Sequence, residues 1–316
     1  MTDLTSKKVL TITMNPSLDI GTEAEEVITD QKTRCKQPVY DPGGGGINVA
    51  RVLHRLGVQS EALFISGGYT GSLLNNMMSD ENINCLQIDS KDLTRQNISI
   101  IDNSSGQQYR FVLPGKISDE SVWKSALDKI RSVISGYEYI VGSGSLPQGA
   151  PVDFYSRVAQ LCGEADKRFI LDTSGESLFQ GLNNGAEFIK PNQEEFNEMK
   201  RIFGADSDEA LCDALFKKGV KHIVHTLGKE KTILITPESR AEFTPPKVNV
   251  RSTIGAGDSF VGGLIAGLIK GFSKARSVQY GISTAASTLQ SEGTDLCDAQ
   301  EVEEIFESSF QQDPKD

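Results

Sequence analysis

Cysteine and histidine are scarce in this chain, and their arrangement excludes two chemistries. The five cysteines (Cys35, Cys85, Cys162, Cys212, Cys297) are scattered, odd in number and free of Cys-x-x-Cys spacing. They read as buried free thiols in a reducing cytoplasm, not as a disulfide framework. His222 and His225 are three apart on an expected strand, hence on opposite faces, with no third ligand near in sequence. That argues against zinc. There is no Gly-x-x-x-x-Gly-Lys-Ser/Thr loop and no nucleophile elbow. Long apolar runs are missing too. The most apolar helix candidate, 260–269, carries four glycines or alanines and is too short to span a bilayer. The run 9–14 is strand-length, ends at Asn15-Pro16 and lacks a small-residue cleavage site, so it does not read as a targeting segment. A soluble protein is expected. Positive charge is in deficit, with 32 Lys and Arg against 43 Asp and Glu, a net charge of −11. Such a field repels nucleic acid and anionic membrane, so neither is an expected partner. Any anionic ligand must be met by local cations or backbone N–H groups.

What is present is an alternation of strand and helix patterns. Residues 9–13 read as a buried strand, and 47–56 place Val49, Val52, Leu53 and Leu56 on one helical face, ended by Gly57. Strands near 62–65, 84–88, 139–141, 168–171, 187–189 and 221–224 alternate with helical patterns near 71–80, 119–135 and 152–162. Three helices close the chain at 258–270, 274–289 and 299–310. Alternation of this kind predicts an α/β fold with a mostly parallel sheet covered on both faces. Residues 21–40 are polar and broken by Gly and Pro, and Asn103-Ser104-Ser105-Gly106 reads as a hairpin turn. No stretch resembles a linker, so one domain over 1–316 is expected, with low complexity confined to the acidic, Gln-containing tail. In such sheets ligands sit at the carboxyl ends of strands, where loops lead into helix N-termini.

Four segments fall at those junctions. Gly255-Ala256-Gly257-Asp258 lets backbone N–H groups crowd round an anion at a helix start, with a carboxylate beside it to accept a proton. A plain helix N-cap is the competing reading. Asp41-Pro42-Gly43-Gly44-Gly45-Gly46-Ile47-Asn48 allows a ligand close to the main chain, with Asn48 as donor and acceptor. A dinucleotide loop fails there, because Asn48 stands where Gly or Ala is needed and the preceding segment is turn-like. Lys190-Pro191-Asn192-Gln193-Glu194-Glu195 puts Asn192 and Glu195 on one face of a helix start. The pair suits Mg²⁺, or equally a capping box. Last come cations: Lys32, Arg34 and Lys36 alternate as on one face of a strand, and Arg95 and Arg110 lie in the same half as the glycine run. They suit a phosphate, or only solubility.

Together these residues resemble the PfkB (ribokinase-like) family of carbohydrate kinases. One signature is Gly44-Gly45-Gly46-Ile47-Asn48-Val49-Ala50, six residues, Gly57, nine residues, Gly67. The other is Ser252-Thr253-Ile254-Gly255-Ala256-Gly257-Asp258 followed by Gly262-Gly263. The likeness runs from Val9 to Cys297. Within the family, Thr94-Arg95-Gln96-Asn97, Gln108-Tyr109-Arg110-Phe111 and Gly144-Ser145-Leu146-Pro147 are most similar to the bacterial branch acting on fructose 6-phosphate. The all-glycine run points the same way, since tagatose-6-phosphate kinases and 1-phosphofructokinases usually carry a lysine there. Those two activities are the alternative, and a non-catalytic sugar-phosphate sensor is a lesser one.

The resemblance implies a ribokinase-like αβα sandwich with a small β-sheet lid from about 21–41 and 97–113, which also pairs two subunits as a homodimer. It implies ATP and Mg²⁺, raises the question of K⁺, and implies transfer to the C1 hydroxyl of fructose 6-phosphate in the cytoplasm. Asp19, Gly44, Gly45 and Asn48 would hold sugar hydroxyls. Lys32, Arg34, Arg95, Arg110 and Ser145 would hold its phosphate. Lys190, Asn192, Thr226 and Gly228 would meet the nucleotide, with Asn192 and Glu195 toward the metal. Gly255, Ala256 and Gly257 would form the anion hole, and Asp258 the base. Two positions depart from the pattern: Lys231 stands where a second glycine follows Gly228, and Asp295 where relatives carry a basic residue. They bear on nucleotide preference and on the monovalent cation.

Overall fold

A computed structural model describes residues 9–310. The acidic, Gln-containing tail lies outside the described residues. The strands are β1 (Val9–Thr13), β2 (Ser17–Ala24), β3 (Val39–Gly43), β4 (Ser60–Gly67), β5 (Asn84–Ser90), β6 (Arg95–Asp102), β7 (Gln108–Val112), β8 (Tyr139–Ser143), β9 (Arg168–Asp172), β10 (Ala186–Ile189), β11 (Val220–Thr226), β12 (Thr232–Ile235) and β13 (Arg240–Phe243). The helices are α1 (Gly45–Arg55), α2 (Gly68–Asp80), α3 (Glu120–Val133), α4 (Phe154–Glu164), α5 (Gly175–Gly181), α6 (Gln193–Phe203), α7 (Asp208–Lys217), α8 (Ala256–Lys270), α9 (Lys274–Gln290) and α10 (Ala299–Ser309).

The strands form a nine-stranded sheet in the order β13-β12-β11-β10-β9-β8-β1-β4-β5 and a four-stranded sheet in the order β3-β2-β6-β7. In the large sheet the pairs from β11 across to β5 are parallel, and β12 and β13 are added antiparallel. Its inner strands are largely apolar on both faces because both are covered, as parallel sheets require, while the edge strands β5 and β13 are polar and partly exposed. Leu10, Ile12, Ile140, Leu171 and Ile223 pack with α3 to α7 on one side. Val9, Val141, Ile170, Phe188 and Val224 pack with α1, α8 and α10 on the other. His222 and His225 follow the same alternation: the first stacks on Phe188 at 4.5 Å, the second on Phe196 at 4.1 Å. They are core residues, lowered in pKa by burial.

α8 is wedged between α1 and α9. A Cβ on Gly262 would fall 2.5 Å from Val52, and one on Gly263 2.2 Å from Thr284 Oγ1. The glycines therefore set the distance at which the amino end of α8 is presented. The small sheet departs from expectation in its bounds. Its strands begin at Ser17 and Arg95, and 25–38 holds no strand, only a bridge from Ala24 to Cys35. Lys32, Arg34 and Lys36 are thus not on one strand face, since the charged and polar stretch has no apolar side to dock. The segment before the glycine run is a strand after all. It is β3, antiparallel to β2 and outside the parallel sheet, so it gives no dinucleotide unit. All five cysteines are free, but Cys35 and Cys85 are exposed, because both lie on edge segments that nothing covers. Among the described residues no helix is long and apolar enough to cross a membrane.

Candidate active site

The carboxyl ends of β1, β8, β9, β10 and β11 converge on the amino ends of α1 and α8. The glycine run sits at this junction, and its neighbours belong to the chain itself. A Cβ on Gly43 would lie 2.4 Å from Asp19 Oδ2, one on Gly45 2.3 Å from Ser143 Oγ, and one on Gly46 2.5 Å from Thr13 Oγ1. Gly44 has φ +115°. Close packing of strand ends under α1 explains the run without a ligand. Its consequence is that Asn48, one turn into α1, reaches Asp258, donating from Nδ2 to Oδ2 at 2.8 Å.

Asp258 lies in the first turn of α8, after Gly255 in the left-handed conformation (φ 74°). The carboxyl is pushed up to about 7 by burial and then by the charge of Asp172, against the Asn48 hydrogen bond and Lys190. Asp172, at the end of β9, pairs with Lys190 Nζ at 3.2 Å. That ammonium would sit 3.6 Å from a Cβ on Gly257, beside the amino end of α8. Burial works against its charge, but Asp172, Glu195 and Asp258 hold its pKa above the usual lysine range. A base poised near neutrality and a buried cation beside helix-terminal N–H groups suit proton abstraction with anion stabilisation.

Beyond Lys190 opens a cavity of about 890 Å³, polar where Asn192, Thr226, Gly228 and Lys229 line it and apolar toward Pro246, Val250, Ile282 and Ala286. A charged tail and a flat apolar ring would fit in that order. Asn192 and Glu195 form a full capping box, each side chain accepting from the other's backbone N–H at 2.9 Å. Burial raises the Glu195 pKa. The capping reading therefore holds. Mg²⁺ takes few protein ligands when a phosphate chain supplies the rest, so Glu195 beside Lys190 stays compatible with it. In the Gly228 turn, Leu227 N donates to Lys231 O at 2.8 Å and Lys231 Nζ pairs with Glu242 at 3.0 Å. The departing lysine thus points away from the cavity. A second groove, about 710 Å³, lies at the amino ends of β8 to β11. Its Arg168, Glu138, Glu187 and Lys221 are already paired with one another.

On the other side of Asp258 stands the small sheet. Asp19 accepts from Ser17 Oγ at 2.7 Å and Asn97 Nδ2 at 2.8 Å. Arg95 donates to the carbonyls of Asn15 and Leu113, each at 3.2 Å, and burial lowers its pKa despite Asp19. Ser145 accepts from Asn15 Nδ2 at 3.0 Å. Arg110 shares a narrow crevice with Asp19, Asn97, Ile254 and Thr294. Lys32 and Arg34 are exposed and line neither this crevice nor the large cavity. Sequence reasoning missed Asp172, Asn97 and Thr294. Asp172 ends the strand 168–172 and could have been found as an acidic residue at a strand's carboxyl end; Asn97 closes the Thr94-Arg95-Gln96-Asn97 segment but was given no role, and Thr294 carries no local signal.

The family model for pfkB family carbohydrate kinases matches residues 13–301. An ATP-dependent 6-phosphofructokinase isozyme 2 of Mycobacterium tuberculosis is 37% identical, over 95% of this chain and 89% of its own. The Escherichia coli protein of the same name is 34% identical, over 95% and 98%. The crystal structure of Escherichia coli phosphofructokinase-2 in complex with fructose-6-phosphate superposes with a TM-score of 0.85, at 32% identity over 96% of this chain and 99% of that one. With a buried carboxyl between a large part-polar cavity and a polar sheet, and relatives of this identity over nearly its whole length, the chain belongs to the pfkB family of carbohydrate kinases.

Proposed function

We propose that the protein transfers the γ-phosphoryl group of ATP to the C1 hydroxyl of fructose 6-phosphate, giving fructose 1,6-bisphosphate. The observation that carries this is the position of Asp258, between the small sheet that holds Asp19 and the Lys190 cavity, with its carboxyl raised to about 7. The relatives' names supply the acceptor. MgATP brings the transferable group and a cation that offsets its charge, and the remaining work belongs to the chain. Asp258 accepts the C1 proton as that oxygen bonds to phosphorus, the bond to the departing ADP oxygen breaks, and Lys190 with the Gly255–Gly257 amides balances the charge. Asp19, Gly44, Gly45 and Asn48 orient the sugar, while Arg95, Arg110 and Ser145 take its phosphate. Asn192, Thr226 and Gly228 hold the nucleotide, with Asn192 and Glu195 toward Mg²⁺. K⁺ dependence is a separate question for the assay.

ADP release is measured with MgATP and fructose 6-phosphate, tagatose 6-phosphate, fructose 1-phosphate, fructose or ribose. Fructose 6-phosphate should give the highest kcat/KM; a different winner overturns the acceptor. Arg110→Ala should raise KM for fructose 6-phosphate roughly tenfold and leave that for unphosphorylated fructose unchanged. An equal effect on both sugars removes Arg110 as a phosphate anchor.

The small sheet acts as lid and dimer contact in this reading. Its register sets Tyr40, Ile20, Ile98 and Phe111 in one row, of which Tyr40 and Phe111 are 42% and 52% exposed. Pairing two such rows covers apolar surface and brings the exposed Lys32 and Arg34 within reach of a second chain's sugar site. Phe111→Glu should convert a dimer to a monomer by light scattering and weaken fructose 6-phosphate saturation; an unchanged mass removes the sheet from the interface. The five free thiols fit a reducing cytoplasm.

A further inference from the structure

The loop between α9 and α10 touches both halves of the site. At one end, Leu296 Cδ2 lies 2.7 Å from where a Cβ on Gly255 would be, directly under the N-cap of α8. Arg55, at the end of α1, fixes that stretch by donating to the carbonyls of Leu296 and Cys297 at 2.9 and 3.1 Å and to Asp295 at 2.7 Å. Ser252 Oγ donates to Gly293 O while accepting from Ile254 N, which ties the loop to the segment entering the anion hole. At the other end, Thr294 Oγ1 donates to the Asp41 carboxylate of β3. Asp41 also lies 3.9 Å from Arg51, a buried guanidinium that pairs with Glu81 at 2.7 and 2.8 Å and donates to the Pro42 carbonyl of β3 at 3.3 Å. Thr294 and Ile254 line the crevice that Asp19, Asn97 and Arg110 share.

We propose that the Thr294–Asp41 hydrogen bond latches the small sheet to the anion-hole side of the cleft, with Thr294 as a positioning residue for the acceptor sugar. β3 runs straight into Gly43 to Gly46, and β2 beside it carries Asp19. A shift of β3 therefore moves the sugar-orienting groups relative to Asp258. The loop that holds β3 is the one that props Gly255. That hydroxyl, alongside the Arg51 contacts to β3, keeps acceptor and phosphoryl-binding amides in register, and its loss is felt as looser backbone at both and as weaker sugar binding.

The inference rests on the kinase reading for its kinetic test, and its second readout needs no substrate. Thr294→Val keeps the shape and removes the donor; Thr294→Ser restores it. In the full chain, Thr294→Val should raise KM for fructose 6-phosphate about tenfold, the size of one charge-assisted hydrogen bond, with KM for ATP within about twofold of the parent. Thr294→Ser should return the sugar KM. By hydrogen exchange with mass spectrometry, Thr294→Val should speed exchange both in Val39–Gly43 and in the segment 255–257. An unchanged sugar KM, or faster exchange confined to the residues around 294, overturns the latch. If the parent protein phosphorylates no sugar phosphate, the kinase reading fails, and coupled exchange at 39–43 and 255–257 alone decides the latch.

Discussion

Asp258→Asn lowers kcat for fructose 6-phosphate by ~100-fold or more while leaving its KM nearly unchanged. Asparagine keeps the shape and can still accept from Asn48 Nδ2, so the site stays assembled and only the proton acceptor is lost. Initial rates over a range of sugar concentrations check this, and a kcat within a few-fold of the parent removes Asp258 as the base. A pH profile adds an independent sign. The carboxyl, raised to about 7, works only when ionised, so activity of the parent climbs through neutrality from the acid side. Stability runs the other way. A folded-state pKa above the unfolded one contributes stability at low pH that is lost as pH rises through about 7. The Asn variant has no such loss. It should match the parent near pH 4 and melt higher than it at pH 8, by on the order of a few °C. Burying a base near its own pKa costs the apoprotein stability, and the site uses that cost to keep the proton acceptor at a working affinity.

How far the site could be read in advance depends on whether a residue's role is set locally. The start of α8 was legible because small residues before an acidic residue mark a helix entry, and α8 does begin at Ala256 with Asp258 in its first turn. The parallel order was legible because the inner strands are apolar on both faces. Both β12 and β13 escaped notice: a short antiparallel edge carries no pattern that distinguishes it from a loop. The glycine run was located correctly, but spacing could not tell a ligand's approach from the chain's own Asp19, Ser143 and Thr13. Alternating Lys32, Arg34 and Lys36 mimicked a strand face without apolar partners to hold one. Asp172 and Thr294 were invisible for a different reason. Each acts through a residue distant in sequence, Lys190 and Asp41, and long-range pairs leave no spacing to read.

Lys190→Met is the second large effect, and it tests the electrostatics of the site rather than the base alone. Methionine keeps most of the buried stem and deletes the ammonium. Two consequences follow from the geometry. The anion-hole amides near Gly257 lose the cation beside them, and loss of one such stabilising group typically costs on the order of 10²–10³ in kcat. Asp172 loses its 3.2 Å partner and faces Asp258 uncompensated, an arrangement more costly than never having had the pair. The charge of Asp172 already raises the Asp258 pKa and Lys190 opposes it. Without the lysine, the residual activity should therefore rise only at a pH above that of the parent. Asp172→Asn should move the same limb the other way, since it removes the carboxylate that raises Asp258. Rate profiles of the two variants between pH 5 and 9 separate this from simple loss of nucleotide affinity. A weakened ATP site with an unmoved acid limb would show that Lys190 holds phosphate and does not tune the base. Opposite shifts in the two variants would assign Asp172, Lys190 and Asp258 to one coupled proton-balancing set.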